Sequence, residues 1–499
     1  GVFDKERFID LLAHFQAYEV KEGAAKAKKL AGYHQFHAVR KAVQHTIRAA
    51  NHDGDRKAGV IWHTQGSGKS FTMALYASRL ERAPELGNPT VVVVTDRNDL
   101  DDQLFDTFQE HPDLFVSKPE PAEDRADLRE KLKRVSGGIV FTTMQRFALL
   151  DDEKEYPQLT DRRNVIVIAD EAHRTQYGFG SKVSVNKDGA KLASGGYAQH
   201  LRNALPFATF IGFTGTPVET KDRNTRAVFG DEIDTYDLAQ AVADNATVPI
   251  YYTARLPQLR FDDELKAVLD ETVDDLLVEQ DVPDQENTKS RWSRLEAVAG
   301  APERLQRVAT DIVEHFEARR EAMGGGKAMV VAMSRRVCVA LHDAIGKLRP
   351  EWVSGDDKQG LIKVVMTGSA GDPEEFRPHI RKKSQLEELA RQFKKPETTF
   401  SLAIVRDMWL TGFDAPCLHT LYVDKPMRGH GLMQAIARVN RVFGEKPGGL
   451  VVDYLGIGAE LKAALAAYSQ GDRQRAGIDQ DAAVRELLRA LEAIVDLLN

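Results

Sequence analysis

The sequence predicts an α/β protein built from two parallel-sheet domains in tandem. Short apolar, β-branched segments alternate with longer amphipathic stretches, and this alternation occurs in two separate series along the chain. Strands that are apolar throughout and separated by helix-length segments are typical of a parallel sheet covered by helices on both faces. A length of 499 residues is ample for two such domains and part of a third.

Each series contains five predicted strands. In the first series they lie at residues 59–62, 90–95, 138–142, 165–169 and 207–213. In the second series they lie at residues 328–333, 362–366, 401–405, 420–423 and 450–452. We therefore expect one α/β domain at 33–247 and a second at 248–458.

The flanking and connecting segments differ from these domains in composition. Residues 1–32 are predicted to be a helical linker from an upstream domain. Residues 459–499 are rich in Ala, Leu, Glu and Arg at helical spacing and break off within the pattern, which predicts the start of a truncated helical domain. Residues 261–286 contain eleven Asp and Glu residues and one Lys. We expect a solvated insertion there, with an acidic surface that repels DNA as the alternative.

The overall composition excludes several classes of protein. The formal net charge is −7, so any site for a polyanion has to be local. The two cysteines, Cys338 and Cys417, are too few for a four-ligand zinc site or a disulfide framework, so a cytoplasmic location is expected. No apolar run approaches the roughly 20 residues that span a bilayer. Position 1 is Gly1 rather than Met, and no signal-peptide pattern follows it, so we expect a fragment of a longer protein.

A phosphate-binding loop is predicted after the first strand, where the sequence is His-Thr-Gln-Gly-Ser-Gly-Lys-Ser. Gly66 and Gly68 allow backbone N–H groups to surround phosphate oxygens at the N-terminus of the next helix. Lys69 is expected to contact the β- and γ-phosphates and Ser70 to hold Mg²⁺, so ATP and Mg²⁺ are the expected cofactors. The generic pattern has Gly where this chain has His63, which leaves a structural turn as the alternative.

Two acidic residues, Asp170 and Glu171, directly follow the predicted strand at 165–169. The carboxyl ends of strands are where open α/β sheets bind ligands. Asp170 is expected to hold Mg²⁺ through water, and Glu171 to orient or deprotonate the attacking water. An acidic helix cap is the alternative.

Gln434, Arg438 and Arg441 of the second series are separated by four and three residues, which predicts one face of a helix. Arginines brought onto a γ-phosphate stabilise the charge that develops in phosphoryl transfer. We expect Arg438 and Arg441 to act in this way across a cleft between the domains. A solvated helix face without a catalytic role is the alternative.

Taken in order, these motifs resemble the superfamily 2 helicase-like ATPases, and most closely the motor (R, HsdR-type) subunit of type I restriction enzymes. The resemblance covers roughly residues 1–460, includes a histidine at position 63, and is carried by segments 33–43, 62–70, 170–174, 212–217, 411–414 and 434–441. It implies two RecA-like domains with an ATP cleft between them. It also implies an ATP-dependent translocase of double-stranded DNA, which hydrolyses ATP to ADP and phosphate and assembles with modification (methyltransferase) and specificity subunits.

The resemblance further implies roles for individual residues. Gln35 is similar to the glutamine that hydrogen-bonds adenine, and Asp414 to a residue of a loop that contacts ATP and the DNA backbone. Alternatives are a surface glutamine and a turn cap. The other implied nucleotide contacts are Thr64, Gln65, Gly66, Ser67, Gly68, Gly412 and Gln434. The implied coupling residues are His173, Thr214 and Thr216, and a polar turn is the alternative for the two threonines.

DNA contacts are expected from donors that follow strand ends. Contacts with phosphates rather than base edges allow movement along any sequence. The candidates are Thr95, Arg97, Thr142, Thr143, Ser334 and Arg335.

The nuclease of complete type I motor subunits, which uses an Asp and a Glu-x-Lys sequence, is expected to be absent from this chain. Glu219 and Lys221 have the Glu-x-Lys spacing, but they follow a Gly-Thr-Pro turn instead of lying on a strand. Two other functions stay open: a superfamily 2 helicase or remodeller outside restriction, and a non-hydrolysing ATP-dependent DNA clamp. The base at Glu171 argues against the clamp, which has no need to activate water.

Overall fold

The computed structural model describes residues 3–21, 24–95, 98–150, 153, 155–172, 182–185, 191–194, 197–215, 223–255, 296–369, 371–410, 412–427, 429–458 and 461. The chain divides into two compact units, Gly1–Asp237 and Leu238–Asn499. We call them unit 1 and unit 2. The expected acidic insertion at 261–286, the helical tail apart from position 461, and the candidates Arg97, His173 and Thr216 lie outside the described residues.

Unit 1 is an α/β unit with a central parallel sheet. Its helices are α1 Lys5–His14, α2 Tyr33–Ala50, α3 Lys69–Glu81, α4 Asn98–Gln109, α5 Arg125–Leu132, α6 Tyr197–Ala204 and α7 Arg223–Phe229. Its strands are β1 Gln16–Lys21, β2 Ala24–Leu30, β3 Lys57–His63, β4 Thr90–Thr95, β5 Glu120–Pro121, β6 Ile139–Thr143, β7 Val165–Ala169, β8 Lys182–Val185, β9 Lys191–Ser194, β10 Thr209–Thr214 and β11 Glu232–Tyr236. Seven strands form a parallel sheet in the order β11-β3-β10-β7-β4-β6-β5.

The central strands of this sheet are apolar because both of their faces are covered. In β4, Val91 and Val93 belong to one hydrophobic core, and Val92 and Val94 belong to the core on the opposite face. All four side chains are fully buried. Burial of one large aliphatic side chain in such a core stabilises the fold by about 1.5–3 kcal/mol.

The first 32 residues differ from the predicted helical linker. Among the described residues of this segment α1 alone is helical, and β1 pairs with β2 in an antiparallel hairpin. Phe15 and Ala17 are fully buried in the core of unit 1, and Val20 N donates a hydrogen bond to Glu110 O at 2.7 Å. The hairpin is therefore part of unit 1, because its apolar side chains complete that core.

Unit 2 repeats the architecture. Its helices are α8 Leu238–Ala243, α9 Pro302–Ala322, α10 Arg335–Leu348, α11 Lys383–Lys394 and α12 Gly429–Ile436. Its strands are β12 Ile250–Ala254, β13 Lys327–Ala332, β14 Ile362–Val365, β15 Leu402–Val405, β16 Leu418–Asp424 and β17 Gly449–Asp453. All six are parallel, in the order β12-β17-β16-β13-β15-β14. The predicted fold class, two parallel-sheet α/β domains, is confirmed.

The division between the units falls after Asp237 rather than at the predicted position 247. Segment 238–248 belongs with unit 2 because its backbone is bonded there. Val248 N donates to Asn440 O at 2.8 Å, and Thr247 forms an antiparallel bridge with Arg441. Among the described residues, every helix is too short or too polar to span a lipid bilayer. Both cysteines are free and buried.

Candidate active site

The predicted phosphate loop joins β3 to α3 at the carboxyl edge of the unit 1 sheet. Its bends depend on Gly66 and Gly68, whose φ angles of 98° and 82° are in the left-handed region that favours glycine. At Gly68 a Cβ would also lie 2.9 Å from the side-chain nitrogen of Gln35. Lys69 begins α3 and donates from Nζ to the carbonyl oxygen of His63 at 3.2 Å. Backbone N–H groups and one cation are thus collected at a helix N-terminus, which suits a phosphate.

The side chain of Gln35 lies against this loop and is only 6% exposed. Its Oε1 accepts from Gly32 N at 3.0 Å, and its Nε2 donates to Gly68 O at 3.1 Å and to Thr72 Oγ1 at 3.2 Å. The alternative of a surface glutamine is therefore wrong. The amide links the start of α2 to the start of α3, and its role toward adenine stays a prediction.

His63, which stands where the generic loop has glycine, is fully buried against the edge strand β11. Its Nε2 lies 2.8 Å from Asp234 Oδ2, and Asp234 Oδ1 accepts from Lys41 Nζ at 2.6 Å. Burial lowers the pKa of His63 despite the carboxylate, which raises it. Burial would raise the pKa of Asp234, but the hydrogen bonds from His63 and Lys41 hold it below its usual value. At neutral pH the imidazole is consequently neutral, and Nε2 carries the proton donated to the carboxylate.

A second contact fixes the other end of the loop. His34 Nε2 lies 3.0 Å from Ser67 O, and the His34 ring stacks on Tyr236 with centroids 4.0 Å apart. Tyr236 O accepts from Thr64 N at 2.8 Å. Strand β11 therefore binds the start of the loop directly, and its Tyr236 packs on the α2 histidine that contacts Ser67.

Asp170 and Glu171 follow β7 at the same edge of the sheet. Asp170 N donates to Val94 O at 2.9 Å, and Glu171 N donates to the Asp170 carboxylate at 2.9 Å. Glu171 has a φ of 48°, an uncommon conformation for a residue with a side chain. Ala172 N donates to Phe213 O at 2.9 Å, which ties the end of β7 to the neighbouring strand β10.

Strand β10 brings the predicted coupling segment next to the phosphate loop. Thr214 is fully buried, and Gly215 follows it. A Cβ at Gly215 would lie 2.8 Å from Lys69 Nζ and 2.7 Å from Gln65 Cγ. Because β3, β10 and β7 are adjacent in the sheet, their carboxyl ends bring together the phosphate loop, the Thr214 segment and the acidic pair. The segments expected to bind ATP and activate water in unit 1 thus lie at one edge.

In unit 2 the two candidate arginines both contact the loop at 412–414. Arg438 donates from Nη1 to Phe413 O and from Nε to Gln434 O at 3.1 Å. Arg441 donates from Nε to Asp414 Oδ1 at 2.9 Å. The loop and the arginine segment therefore form one bonded group.

The prediction that Gln434, Arg438 and Arg441 share a helix face is wrong. Helix α12 ends at Ile436, and Arg441 lies in a bridge with Thr247. The backbone pairing between this segment and residues 247–248 takes the chain out of the helix. The arginines still meet one loop, but through a turn rather than through helical periodicity.

The candidate DNA contacts of unit 1 that the structure describes are buried. Thr95 and Thr142 are fully buried and Thr143 is 1% exposed. Thr142 Oγ1 donates to Thr143 O at 3.3 Å. These threonines lie at strand ends as predicted, and their contact with DNA stays a prediction.

The two DNA candidates of unit 2 are engaged within the chain. Ser334 caps α10 by accepting from Val337 N at 3.2 Å. Arg335 forms a two-point ion pair with Asp372, at 2.6 and 2.8 Å, which raises the arginine pKa. In this arrangement both side chains stabilise the fold. Binding of DNA by Arg335 would require the arginine to exchange Asp372 for a phosphate.

Comparison with known proteins assigns the family. Residues 34–287 match the SWI2/SNF2 ATPase model, and residues 370–456 match domain 3 of the type I restriction enzyme subunit R. The chain is 48% identical over 474 residues to the type I restriction enzyme HindI endonuclease subunit of Haemophilus influenzae, which covers 94% of this chain and 44% of that protein. This chain belongs to the type I restriction enzyme R-subunit family.

A second relative of the R-subunit chain supports the assignment. The provisionally named type I restriction enzyme MjaIXP endonuclease subunit of Methanocaldococcus jannaschii is 42% identical over 500 residues, 99% of this chain and 44% of the relative. The chain thus spans less than half the length of these curated relatives.

Two solved structures share the fold of the R-subunit chain. One is a fragment described as the HsdR subunit of a type I restriction enzyme from Vibrio vulnificus YJ016, with a TM-score of 0.53 at 18% identity over 86% of this chain and 64% of that one. The other is the Type ISP restriction-modification enzyme LlaBIII bound to DNA, with a TM-score of 0.51 at 14% identity over 87% of this chain and 28% of that one.

Sequence reasoning missed the partners of His63. Asp234 lies 171 residues away from it, on a strand whose polar sequence gave no apolar run, and Lys41 is an exposed residue of α2. The one available signal was the histidine itself. An imidazole in place of glycine in a phosphate loop needs a buried hydrogen-bond partner, and that partner had to come from a neighbouring strand.

Proposed function

We propose that this chain is the ATP-driven motor of a type I restriction complex and that it translocates double-stranded DNA. The observation that carries the proposal is the assembly of the phosphate loop, Asp170–Glu171 and Thr214–Gly215 at the carboxyl ends of three adjacent strands. A pure nucleotide-binding fold needs the first of these segments, whereas hydrolysis also needs the acidic pair.

The residues of unit 1 fit a nucleotide with Mg²⁺. Ser70 lies in the first turn of α3 and Asp170 at the end of β7, and hydroxyl and carboxylate oxygens are ligands that Mg²⁺ accepts. Bound there, the ion would neutralise charge on the β- and γ-phosphates. Lys69 would bind the phosphates, and Glu171 would orient the attacking water and accept its proton. Gln35 would hold the adenine end against α2.

Arg438 and Arg441 would add positive charge to the nucleotide site of unit 1. In this proposal one or both bind the γ-phosphate of a nucleotide held by unit 1 and stabilise the transition state. Because both arginines are bonded to 412–414, we expect the position of that loop to change with the nucleotide. Repeated binding and release would then move the two units relative to duplex DNA.

The relatives of this chain are named as subunits of restriction enzymes. We therefore propose that modification and specificity subunits are its partners and that the specificity subunit selects the DNA site. Duplex DNA would be held through its phosphates, with Arg335 as one donor once it leaves Asp372.

The test is triplex displacement by a complex assembled with the complete R subunit. A third strand bound at a distance from the recognition site should be displaced when ATP is added, while the duplex stays paired. The same complex with Glu171→Gln should leave the triplex in place. Displacement accompanied by separation of the duplex strands would favour the helicase alternative, and ATP binding without displacement would favour the clamp.

A further inference from the structure

We propose that Asp234 is a positioning residue of the phosphate loop, acting through His63. This inference rests on the proposed ATP-binding function. Asp234 lies outside all of the sequence motifs that suggested that function. Asp234 lies on the edge strand β11, and it reaches the phosphate loop through the side chain of His63. Its contribution is to hold the loop in the shape that phosphate binding requires.

The contact between Asp234 and His63 is buried, unlike an incidental contact at the protein surface. The His63 ring has no exposed side-chain area and Asp234 retains 9%, so the 2.8 Å hydrogen bond between them is screened from water. Lys41 Nζ lies 2.6 Å from the second carboxylate oxygen. Hydrogen bonds to both oxygens restrain the carboxylate and, with it, the imidazole that donates to it.

The position of His63 matters because its backbone is part of the phosphate site. The His63 carbonyl oxygen accepts from Lys69 Nζ at 3.2 Å, so it sets where the cation rests before ATP arrives. In the generic loop, glycine stands here and no side chain is available to fix the backbone. This chain uses a side chain for that purpose, and β11 supplies its anchor.

The rest of β11 supports the same conclusion. Two residues beyond Asp234, Tyr236 accepts from Thr64 N and stacks on His34, which contacts Ser67 O. The edge strand therefore contacts the start of the loop directly at Thr64 and supports the contact at Ser67 through His34 of α2. A loop that is preorganised in this way loses less conformational freedom when it binds phosphate.

The test is a double-mutant cycle between Asp234→Ala and His63→Gly in the full chain. The matched control is Asp231→Ala, which removes an exposed acid immediately before the same strand. The readouts are the Kd for Mg·ATP, the KM and kcat for hydrolysis, and the thermal unfolding temperature. We expect Asp234→Ala to weaken ATP binding about tenfold, which equals about 1.4 kcal/mol, with a smaller change in kcat. In a variant that already carries His63→Gly, Asp234→Ala should weaken ATP binding no further, because the residue through which Asp234 acts is gone.

Two results would overturn the inference. One is an Asp234→Ala variant that binds ATP as tightly as Asp231→Ala. The other is full additivity of the two substitutions, which would mean that Asp234 acts independently of His63. If Asp234→Ala unfolds, Asp234→Asn keeps the shape and one acceptor, and it should show a weaker form of the same shift in Kd. Absence of ATP binding by the unsubstituted chain would overturn the proposed function itself, a distinct outcome from unchanged binding in the variant.

Discussion

The guanidinium of Arg441 is paired with the carboxylate of Asp414, with Nε 2.9 Å from Oδ1. The Arg441 side chain is 18% exposed and that of Asp414 is 41% exposed, so the pair is in contact with water. Ion pairs of this kind contribute about 0–1 kcal/mol. Arg441 can therefore exchange Asp414 for a phosphate at small cost, whereas Arg438, which is 6% exposed and bonded to two carbonyl groups, is held by the fold.

Arg441→Lys should lower ATP turnover by about 10³-fold, because a lysine cannot present two aligned donors to the γ-phosphate. The affinity for ATP and the unfolding temperature should change far less. Steady-state kinetics and nucleotide titration measure these quantities separately. Near-normal turnover in Arg441→Lys would show that this arginine does not contact the transition state.

Arg438→Met should destabilise the protein, because the carbonyl groups of Phe413 and Gln434 lose a buried charged donor. We expect a loss of about 1–3 kcal/mol in the free energy of unfolding, measured by urea denaturation. Arg441→Met is the matched control, and it should cost clearly less. Equal losses for the two variants would contradict the conclusion that Arg438 is held by the fold whereas Arg441 can exchange its partner.

Glu171→Gln should separate nucleotide binding from chemistry. The amide cannot accept a proton from water, so hydrolysis should fall by about 10²- to 10⁴-fold. Binding of Mg·ATP should persist because Ser70, Lys69 and Asp170 are unchanged. If ATP affinity falls as much as turnover, Glu171 instead binds the metal or maintains the uncommon backbone conformation at its own position.

Lys446 should make the stability of the protein depend on pH. Its ammonium group donates to Leu418 O at 2.7 Å, and burial lowers its pKa to about 7. The unfolded chain, with an ordinary lysine pKa of about 10.4, then holds more protons between these values, so stability rises with pH across this window. Relative to that of Lys446→Met, the free energy of unfolding of the wild type should rise by at most about 2 kcal/mol between pH 7 and pH 9. Urea denaturation at both pH values tests this, and an unchanged difference would contradict it.

The strands that could be predicted from sequence are those buried on both faces. All ten predicted strands are present, because a strand covered by helices on both sides has to be apolar throughout. The missed strands β5, β11 and β12 lie at sheet edges, where one side is unpaired and polar residues are accommodated. The hairpin of β1 and β2 was missed for a related reason, since β2 carries Lys26, Lys28 and Lys29.

The candidate site divides in the same way. Motif segments at strand ends could be found because local sequence determines a loop, a cap and a strand terminus. The bond from His63 to Asp234 could not, because it depends on β11 pairing beside β3. The arrangement of Arg438 and Arg441 was predicted from helical spacing, which fails once the backbone at 440–441 pairs with 247–248.

The most direct test of the proposed motor is phosphate release by this chain at saturating Mg·ATP, with and without linear duplex DNA, in the wild type and in Lys69→Ala. We predict that duplex DNA raises the wild-type rate about tenfold, equivalent to about 1.4 kcal/mol of the barrier. Lys69→Ala should keep its fold, as judged by circular dichroism and thermal unfolding, and should lose about 10²- to 10³-fold in rate under both conditions. A wild-type rate that is the same with and without duplex DNA, or a Lys69→Ala variant with near-normal turnover, would contradict the account.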